Sequence, residues 1–152
     1  MTIFSLIFLC VTELLVTPPS DWEQVSPPTL SSNTQAAWVK KATSRFRPSL
    51  NLTTEPVSVS LDEYVQSVRK MHQKNSQIRW RPLGKLETEA GTGELTELDI
   101  TTQWGAVRML QLLLVRDNCA YIVTGAALKE EFSSYQRSFR DIFKKIQPIS
   151  EI

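Results

Sequence analysis

The sequence predicts an α+β fold: an antiparallel sheet of about six strands sandwiched between helices, an α/β/α arrangement. Four strand-like segments joined by tight turns follow one another between Leu83 and Leu128. An amphipathic helix precedes this run and another follows it. One of the four segments, Val107–Val115, has mainly apolar side chains on both faces, with Gln111 as an exception. Such a strand must be covered on both sides, and in a sheet of hairpins the covering layers are helices.

The first half of the chain supplies two short strands and a capped helix. Ala36–Lys40 and Leu50–Glu55 have strand-like composition, whereas Ser20–Ser32 is rich in Pro and Ser and predicts an irregular lead-in. Ser60 and Glu63 form a capping box, because a Ser hydroxyl and a Glu three residues later can each bind the other's backbone N–H. A helix is therefore predicted from Ser60 to about residue 74.

The run of strands is recognised by its alternation and its turns. Leu95–Thr102 alternates between apolar or Thr side chains and acidic ones, as a half-exposed strand does. Val107–Val115 and Cys119–Thr124 are mainly apolar on both faces. Asp117 and Asn118 lie between them and suit a two-residue primed turn, which needs positive φ at both positions.

The last element is a helix predicted over about Glu130–Ile146. Acidic side chains lie at its start and Lys144 and Lys145 at its end, as the helix dipole favours, and Pro148 follows the stop. Its apolar side chains recur at steps of three and four. They are Phe132, Tyr135, Phe139, Ile142, Phe143 and Ile146.

The N-terminus predicts a signal peptide or an N-terminal anchor over residues 1–17, followed by a single domain over 18–152. Ile3–Val16 is nearly all apolar, too short to span a bilayer but suited to the hydrophobic part of a signal peptide. No Lys or Arg precedes it and Glu13 interrupts it, so a docking helix or strand stays an alternative. Lipidation at Cys10 is another. The expected location is exported or membrane-associated, in the periplasm or envelope, with cytoplasmic as the alternative.

Composition and cysteine count exclude several classes of protein. The 17 Lys and Arg residues nearly balance the 16 Asp and Glu residues, which argues against a nucleic-acid binder. Two cysteines cannot build a disulfide framework. Cys10 would be lost with a cleaved signal peptide, which would leave Cys119 as a free, buried thiol. With a single histidine, His72, no usual zinc ligand set is available. We therefore expect no catalytic residues, no metal and no cofactor, and the chain is interpreted as a non-enzyme.

Four residues are the candidate protein-binding site. Arg79, Trp80 and Arg81 form a basic and aromatic triplet, and Trp104 lies at a predicted hairpin tip. Trp and Arg are the residue types that contribute most to protein interfaces. Glu97 and Asp99 share one face of a strand, where a carboxylate pair is more often solvated than catalytic or bound to Ca²⁺.

A series of short motifs in fixed order resembles the PsbP-like, or Mog-type, superfamily over about Asp21–Gln147. They are Asp21-Trp22-Glu23, Ser49–Leu52, Ser60–Tyr64, Leu83-Gly84, Ala90-Gly91, Gln111, Ala120–Thr124 and Ser138-Phe139. The resemblance implies an antiparallel sheet between helices. Members include a lumenal accessory subunit of photosystem II, a nuclear factor that binds a Ran-type GTPase, and many bacterial envelope lipoproteins. No functional residue of the family has a counterpart here.

Two functions follow as expectations. The first is a non-enzymatic accessory or scaffold protein of a bacterial-type cell envelope that binds an unidentified protein partner. The second is an intracellular adaptor that regulates a nucleotide-binding protein, as in the Ran-binding branch. The fate of residues 1–17 distinguishes them, since cleavage or membrane association through residues 3–16 fits only the first.

Overall fold

A seven-stranded antiparallel sheet with two helices forms the body of the protein in a computed structural model, which describes residues 14–26, 33–41 and 46–149. The elements, in chain order, are β1 (Leu14–Leu15), β2 (Trp22–Gln24), β3 (Thr34–Lys40), β4 (Ser49–Pro56), α1 (Leu61–Gln73), β5 (Ile78–Thr88), β6 (Gly91–Thr102), β7 (Gly105–Arg116), β8 (Cys119–Leu128), a 3₁₀ helix (Phe132–Ser134), α2 (Gln136–Lys144) and β9 (Gln147–Pro148). The fold class is α+β, as the sequence predicts.

The strand order of the main sheet is β2-β3-β4-β8-β7-β6-β5. The predicted run of four strands is confirmed as β5 to β8, and each hairpin pairs neighbouring strands. Asp117 and Asn118 have φ values of 47° and 61°, as their primed turn requires. The expected irregular lead-in is wrong at one place, because Trp22–Gln24 pairs with β3 and adds a seventh strand.

One face of the sheet, which we call the α2 face, contains most of the core. Leu110, Leu112 and Leu114 of β7 lie in its hydrophobic cluster together with Phe139 and Phe143 of α2. The contact is close at the centre of the sheet. A side-chain carbon added at Gly125 would lie 2.5 Å from the Phe139 ring, so glycine is what lets the helix reach the strand.

The opposite face, which we call the α1 face, contains a smaller core. Tyr64, Val65 and Val68 of α1 pack against Leu113 and Ala120. The Ser60 half of the predicted capping box is confirmed, since the Glu63 backbone N–H donates to Ser60 Oγ at 3.2 Å. The Glu63 carboxylate differs from the prediction, because its Oε1 accepts from the Ser60 hydroxyl at 3.3 Å. Each helix covers part of its own face, and the described residues do not form a complete helix layer on both sides.

The second helix is shorter than the predicted Glu130–Ile146. Its first turn is a 3₁₀ helix, in which the Tyr135 N–H donates to the Phe132 carbonyl three residues earlier. The α-helix begins only at Gln136. Apolar spacing cannot separate the two, because a 3₁₀ turn places Phe132 and Tyr135 against the same core that a continuous helix would reach.

The first described residues are part of the folded domain. Leu14 and Leu15 pair with Pro148 and Gln147, which ties the two ends of the described chain together. Leu14 and Val16 are buried in the cluster on the α2 face. The leader or anchor expected over residues 1–17 stays a prediction, and its residues 1–13, with Cys10 among them, lie outside the described residues.

The expectation for the second cysteine is wrong. Cys119 is buried as predicted, but it is disulfide-bonded and no described cysteine is free. A count of two cysteines excludes a framework of several bridges, yet it does not exclude one bridge, which is where the expectation failed.

Candidate partner-binding site

Beyond the end of the helical cover, the α2 face changes from apolar to charged. Two neighbouring ladders create this change, since Arg81 pairs with Glu97 across β5 and β6, and Asp99 pairs with Arg108 across β6 and β7. Directly paired residues point to the same side of a sheet. The result is a cavity of about 260 Å³. Its charged lining consists of Arg79, Arg81, Glu97, Asp99, Arg108 and Lys129.

Asp99 is held by two cations. Arg108 Nε lies 2.7 Å from Asp99 Oδ1 and Arg108 Nη2 lies 2.9 Å from Oδ2, a bidentate pair, while Lys129 Nζ is 3.3 Å from Oδ2. The hydrogen bond from Arg108, followed by that from Lys129, lowers the pKa of the Asp99 carboxyl against the opposing effect of burial. Asp99 is thus a fixed anion at the bottom of the cavity.

Glu97 is the more buried of the two carboxylates, with 6 % of its side chain exposed. Its Oε1 accepts from Arg81 Nη2 at 3.0 Å and lies 3.3 Å from Arg108 Nε. Arg79 is exposed and makes no ion pair with any described residue. The lining therefore has four cationic and two anionic side chains, a surplus of two positive charges.

Asp99 is poorly suited to act as a general acid. A general acid at neutral pH needs a raised pKa, and the pKa of Asp99 is shifted the other way. Within the described ranges, no group of three His, Cys, Asp or Glu side chains could hold a metal ion. His72, in the last turn of α1, is half-buried, and burial lowers its pKa.

Trp80 is separated from its two arginine neighbours by the pleat of β5. It pairs with Leu98, whose ladder partner is Met109, and so it lies on the α1 face while Arg79 and Arg81 lie on the other. The Arg69 guanidinium of α1 is 5.9 Å from its ring centroid. Its indole Nε1 is buried and has no hydrogen-bond partner in the described part of the chain.

Trp104 lies in the β6–β7 turn with 41 % of its surface exposed, as the sequence predicts for a hairpin tip. Its ring is 6.0 Å from that of Phe46. It lines a second cavity, of about 440 Å³, together with Ala106, Leu128, Lys129 and Glu130. Lys129 lines both cavities, which therefore adjoin.

All four predicted site residues line one of the two cavities. Arg79, Trp80 and Arg81 line the charged cavity, although Trp80 lies on the α1 face, and Trp104 lines the second cavity. Sequence reasoning missed Arg108 and Lys129. Arg108 could have been found, because a two-residue turn at Gln103-Trp104 fixes the register that pairs it with Asp99.

Solved structures with the same fold come from three bacteria. No protein-family model matches the chain, and neither does any curated protein. The LpqN protein of Mycobacterium tuberculosis, described as involved in cell envelope biogenesis, matches with a TM-score of 0.60 and 11 % identity over 89 % of this chain and 83 % of its own. The fold is PsbP-like, as the sequence motifs suggest, since the cyanobacterial PsbP protein described next shares it as well.

Two further structures extend the comparison. The cyanobacterial PsbP protein (CyanoP) of Synechocystis sp. PCC 6803 has a TM-score of 0.59 and 7 % identity over 91 % of this chain and 94 % of its own. A Pseudomonas aeruginosa protein of unknown function, PA94, described as a putative regulator, has a TM-score of 0.63 and 8 % identity over 90 % and 97 %. At these identities the likeness concerns the fold. Among the described residues, no helix has the length and apolar character needed to cross a membrane.

Proposed function

We propose that this protein is a non-enzymatic accessory protein of the cell envelope, and that it acts by binding a protein partner at the two adjoining cavities. The observation that carries the proposal is the exposed Trp104 beside a cavity whose rim holds Arg79 and Arg81. Exposed Trp and Arg next to a concavity are the anchors that protein interfaces use most. The four residues named from the sequence line these two cavities, and Lys129 lines both.

Two observations support a location outside the cytoplasm. Cys119 is disulfide-bonded, and disulfides persist mainly in oxidising compartments such as the periplasm. The LpqN protein, which shares the fold, is described as involved in cell envelope biogenesis. The apolar Ile3–Val16 segment is consistent with export. Leu14 and Val16 at its end pack in the core of the α2 face, so the membrane association that we propose uses the residues before Leu14.

The first test compares two tryptophans that differ in exposure, since Trp104 is 41 % exposed and Trp80 is partly buried. A partner is captured from native lysate with the wild-type chain, identified, and then titrated against purified Trp104→Ala and Trp80→Ala variants. We expect Trp104→Ala to weaken binding by roughly 30-fold, which corresponds to about 2 kcal/mol for an interface anchor. Trp80→Ala should lower the melting temperature instead, since part of its ring is buried under α1.

Unchanged partner binding by the Trp104→Ala variant would contradict the proposal. If Trp104→Ala binds the partner as tightly as the wild type does, the surface around the β6–β7 turn is not the interface. Cell fractionation tests the location separately. Finding a chain with intact residues 1–17 and reduced Cys119 in the cytosol would favour the intracellular adaptor.

A further inference from the structure

We infer that the charged cavity binds a carboxylate of an acidic peptide segment in the partner. The inference rests on the proposed function and adds the chemistry that the site recognises. It follows from three properties of the lining: its charge, the positions of its cations, and the adjoining cavity beside Trp104.

The charge of the lining is not balanced. Glu97 and Asp99 are already paired by Arg81, Arg108 and Lys129, with N–O distances of 2.7 to 3.3 Å. Arg79 adds a fourth cation without an ion pair to any described residue. A bound carboxylate would reduce this surplus, whereas a second cation would increase it.

The cations are also the accessible part of the cavity. The side chains of Arg81 and Lys129 are 63 % and 44 % exposed, and Arg79 is exposed as well. The carboxylates of Glu97 and Asp99 lie deeper, with 6 % and 16 % of their side chains exposed. A ligand that enters from solvent therefore meets guanidinium and ammonium groups first. Guanidinium groups bind carboxylates through two parallel hydrogen bonds.

The second cavity makes a peptide a better ligand than a free anion. It shares Lys129 with the first cavity, and its exposed lining residues Trp104 and Ala106 can contact an apolar side chain. Glu130 is its one anionic lining residue, so the preference for acidic groups belongs to the first cavity. A segment with an apolar side chain next to glutamates would occupy both.

A membrane surface or a nucleic acid fits the site less well. Recognition of anionic lipid headgroups typically uses clusters of four to eight basic residues. The lining has four, but three of them are already paired with Glu97 and Asp99. The net charge of +1 likewise gives little long-range attraction to a polyanion. Both alternatives can be distinguished experimentally.

The test uses the purified chain and two amidated pentapeptides. One is N-acetyl-Leu-Glu-Glu-Glu-Leu and the other is its glutamine counterpart, N-acetyl-Leu-Gln-Gln-Gln-Leu, and both are titrated by calorimetry at low salt. Each is also titrated against Arg79→Gln, and against Lys70→Gln as a matched control. Lys70 is an exposed cation of α1, on the opposite face of the sheet. Melting temperatures of both variants show that the fold is kept.

We expect the glutamate peptide to bind at least about tenfold more tightly than the glutamine peptide, since charge-assisted hydrogen bonds are stronger than neutral ones. Arg79→Gln should remove most of this difference and Lys70→Gln should leave it unchanged. The affinity for the glutamate peptide should fall as salt is added, because the cations at the rim are exposed.

Four results would overturn the inference. They are equal binding of the two peptides, no effect of Arg79→Gln, binding of inorganic phosphate as tight as that of the glutamate peptide, and Arg79-dependent binding of vesicles with 30 % phosphatidylglycerol without binding of the peptide. If the peptide fails while Trp104→Ala still weakens partner capture, the carboxylate inference is wrong and the proposed function is kept. If the peptide binds as expected and Trp104→Ala leaves capture unchanged, the proposed interface is wrong instead.

Discussion

The α2 face of the sheet has two ends that are built from the same strands and differ in what covers them. At the covered end, Leu95 and Leu112 pair across β6 and β7 and are buried under α2. Only four residues further along β6, Asp99 pairs with Arg108, and this end has a cavity in place of a helix. Strand β6 therefore contributes to the core at one end and to the cavity at the other.

The length of α2 explains where the change occurs. Nine residues of α-helix extend over about 13 Å, which is shorter than the strands that it crosses. Where the helix cover ends, Arg108 lies 5.9 Å from the Phe132 ring and the charged residues begin. Burial at the covered end contributes stability, and the uncovered end keeps polar groups within reach of a ligand.

The largest effect is expected at the covered end. Phe139 is fully buried and its ring centroid lies 6.0 to 6.2 Å from those of Trp22, Phe132 and Tyr135. Phe139→Ala should lower the free energy of unfolding by about 3–5 kcal/mol in chemical denaturation. Ile149→Ala is the control, because Ile149 is exposed. A loss below about 1 kcal/mol would show that the covered end is not the stabilising one.

A slightly smaller loss in the free energy of unfolding is expected when a buried side chain of β1 is shortened. Leu14 is buried in the same cluster, so Leu14→Ala should cost about 2–4 kcal/mol. Leu15 is its neighbour and is only partly buried, which makes Leu15→Ala a matched control. Thermal and chemical denaturation should agree on the ranking. Equal losses for the two variants would argue against a core role of β1.

The close contact between helix and strand predicts a third effect. A side-chain carbon at Gly125 would lie 2.5 to 2.7 Å from three atoms of the Phe139 ring, so Gly125→Ala should cost about 1–3 kcal/mol through overpacking. Combining it with Phe139→Leu should cost less than the sum of the two single changes, because the clash is relieved. Strict additivity in the denaturation midpoints would contradict this account.

The charged end is expected to contribute least, and in a way that depends on pH. The pKa of Asp99 is lowered in the folded state, mainly by Arg108. The stabilisation is therefore present above about pH 4, the pKa of an unfolded carboxyl, and is lost as the pH falls through the lower folded value. Asp99→Asn should cost about 1–2 kcal/mol at pH 7 and progressively less in acid.

The control for Asp99→Asn is Asp62→Asn. The ion pair between Asp62 and Lys85 is exposed, so it should contribute little to the free energy of unfolding. Urea denaturation at pH 7 and at pH 3 measures both variants. A cost of Asp99→Asn that stays constant between the two pH values would show that its ion pairs do not stabilise the fold.

Much of the fold could be predicted because local chemistry determines it. Ser60 and Glu63 fix the start of α1, and Asp117 and Asn118 fix a turn, whatever the rest of the chain does. Strand β2 could not be predicted, because three residues after a Pro-containing segment carry too little pattern and pair only through tertiary contact. The 3₁₀ start of the second helix was missed because the spacing of apolar residues does not show whether each N–H bonds to the carbonyl three or four residues earlier.

The sequence identified individual residues of the candidate site, but it did not show which of them lie on the same face of the sheet. Arg79, Trp80 and Arg81 are adjacent in sequence, yet a strand sends alternate side chains to opposite faces, and this separates Trp80 from the arginines. Arg108 lies in an otherwise apolar strand and gives no signal until the register of the β6–β7 hairpin is applied. Composition identified the right residue types, and strand pairing decided which of them meet.

The short ladder between β1 and β9 has a consequence for the order of folding. It joins residues about 130 positions apart, whereas the hairpins of β5 to β8 join neighbours in sequence. Closing so long a loop costs more conformational entropy than closing a hairpin, and two residue pairs give little in return until the core is in place. We expect this ladder to form after the meander and to open before it, so that amide hydrogen exchange at Leu15 is faster than exchange in β7. The two ends of the described chain would then act as a latch that can release without unfolding the sheet behind it.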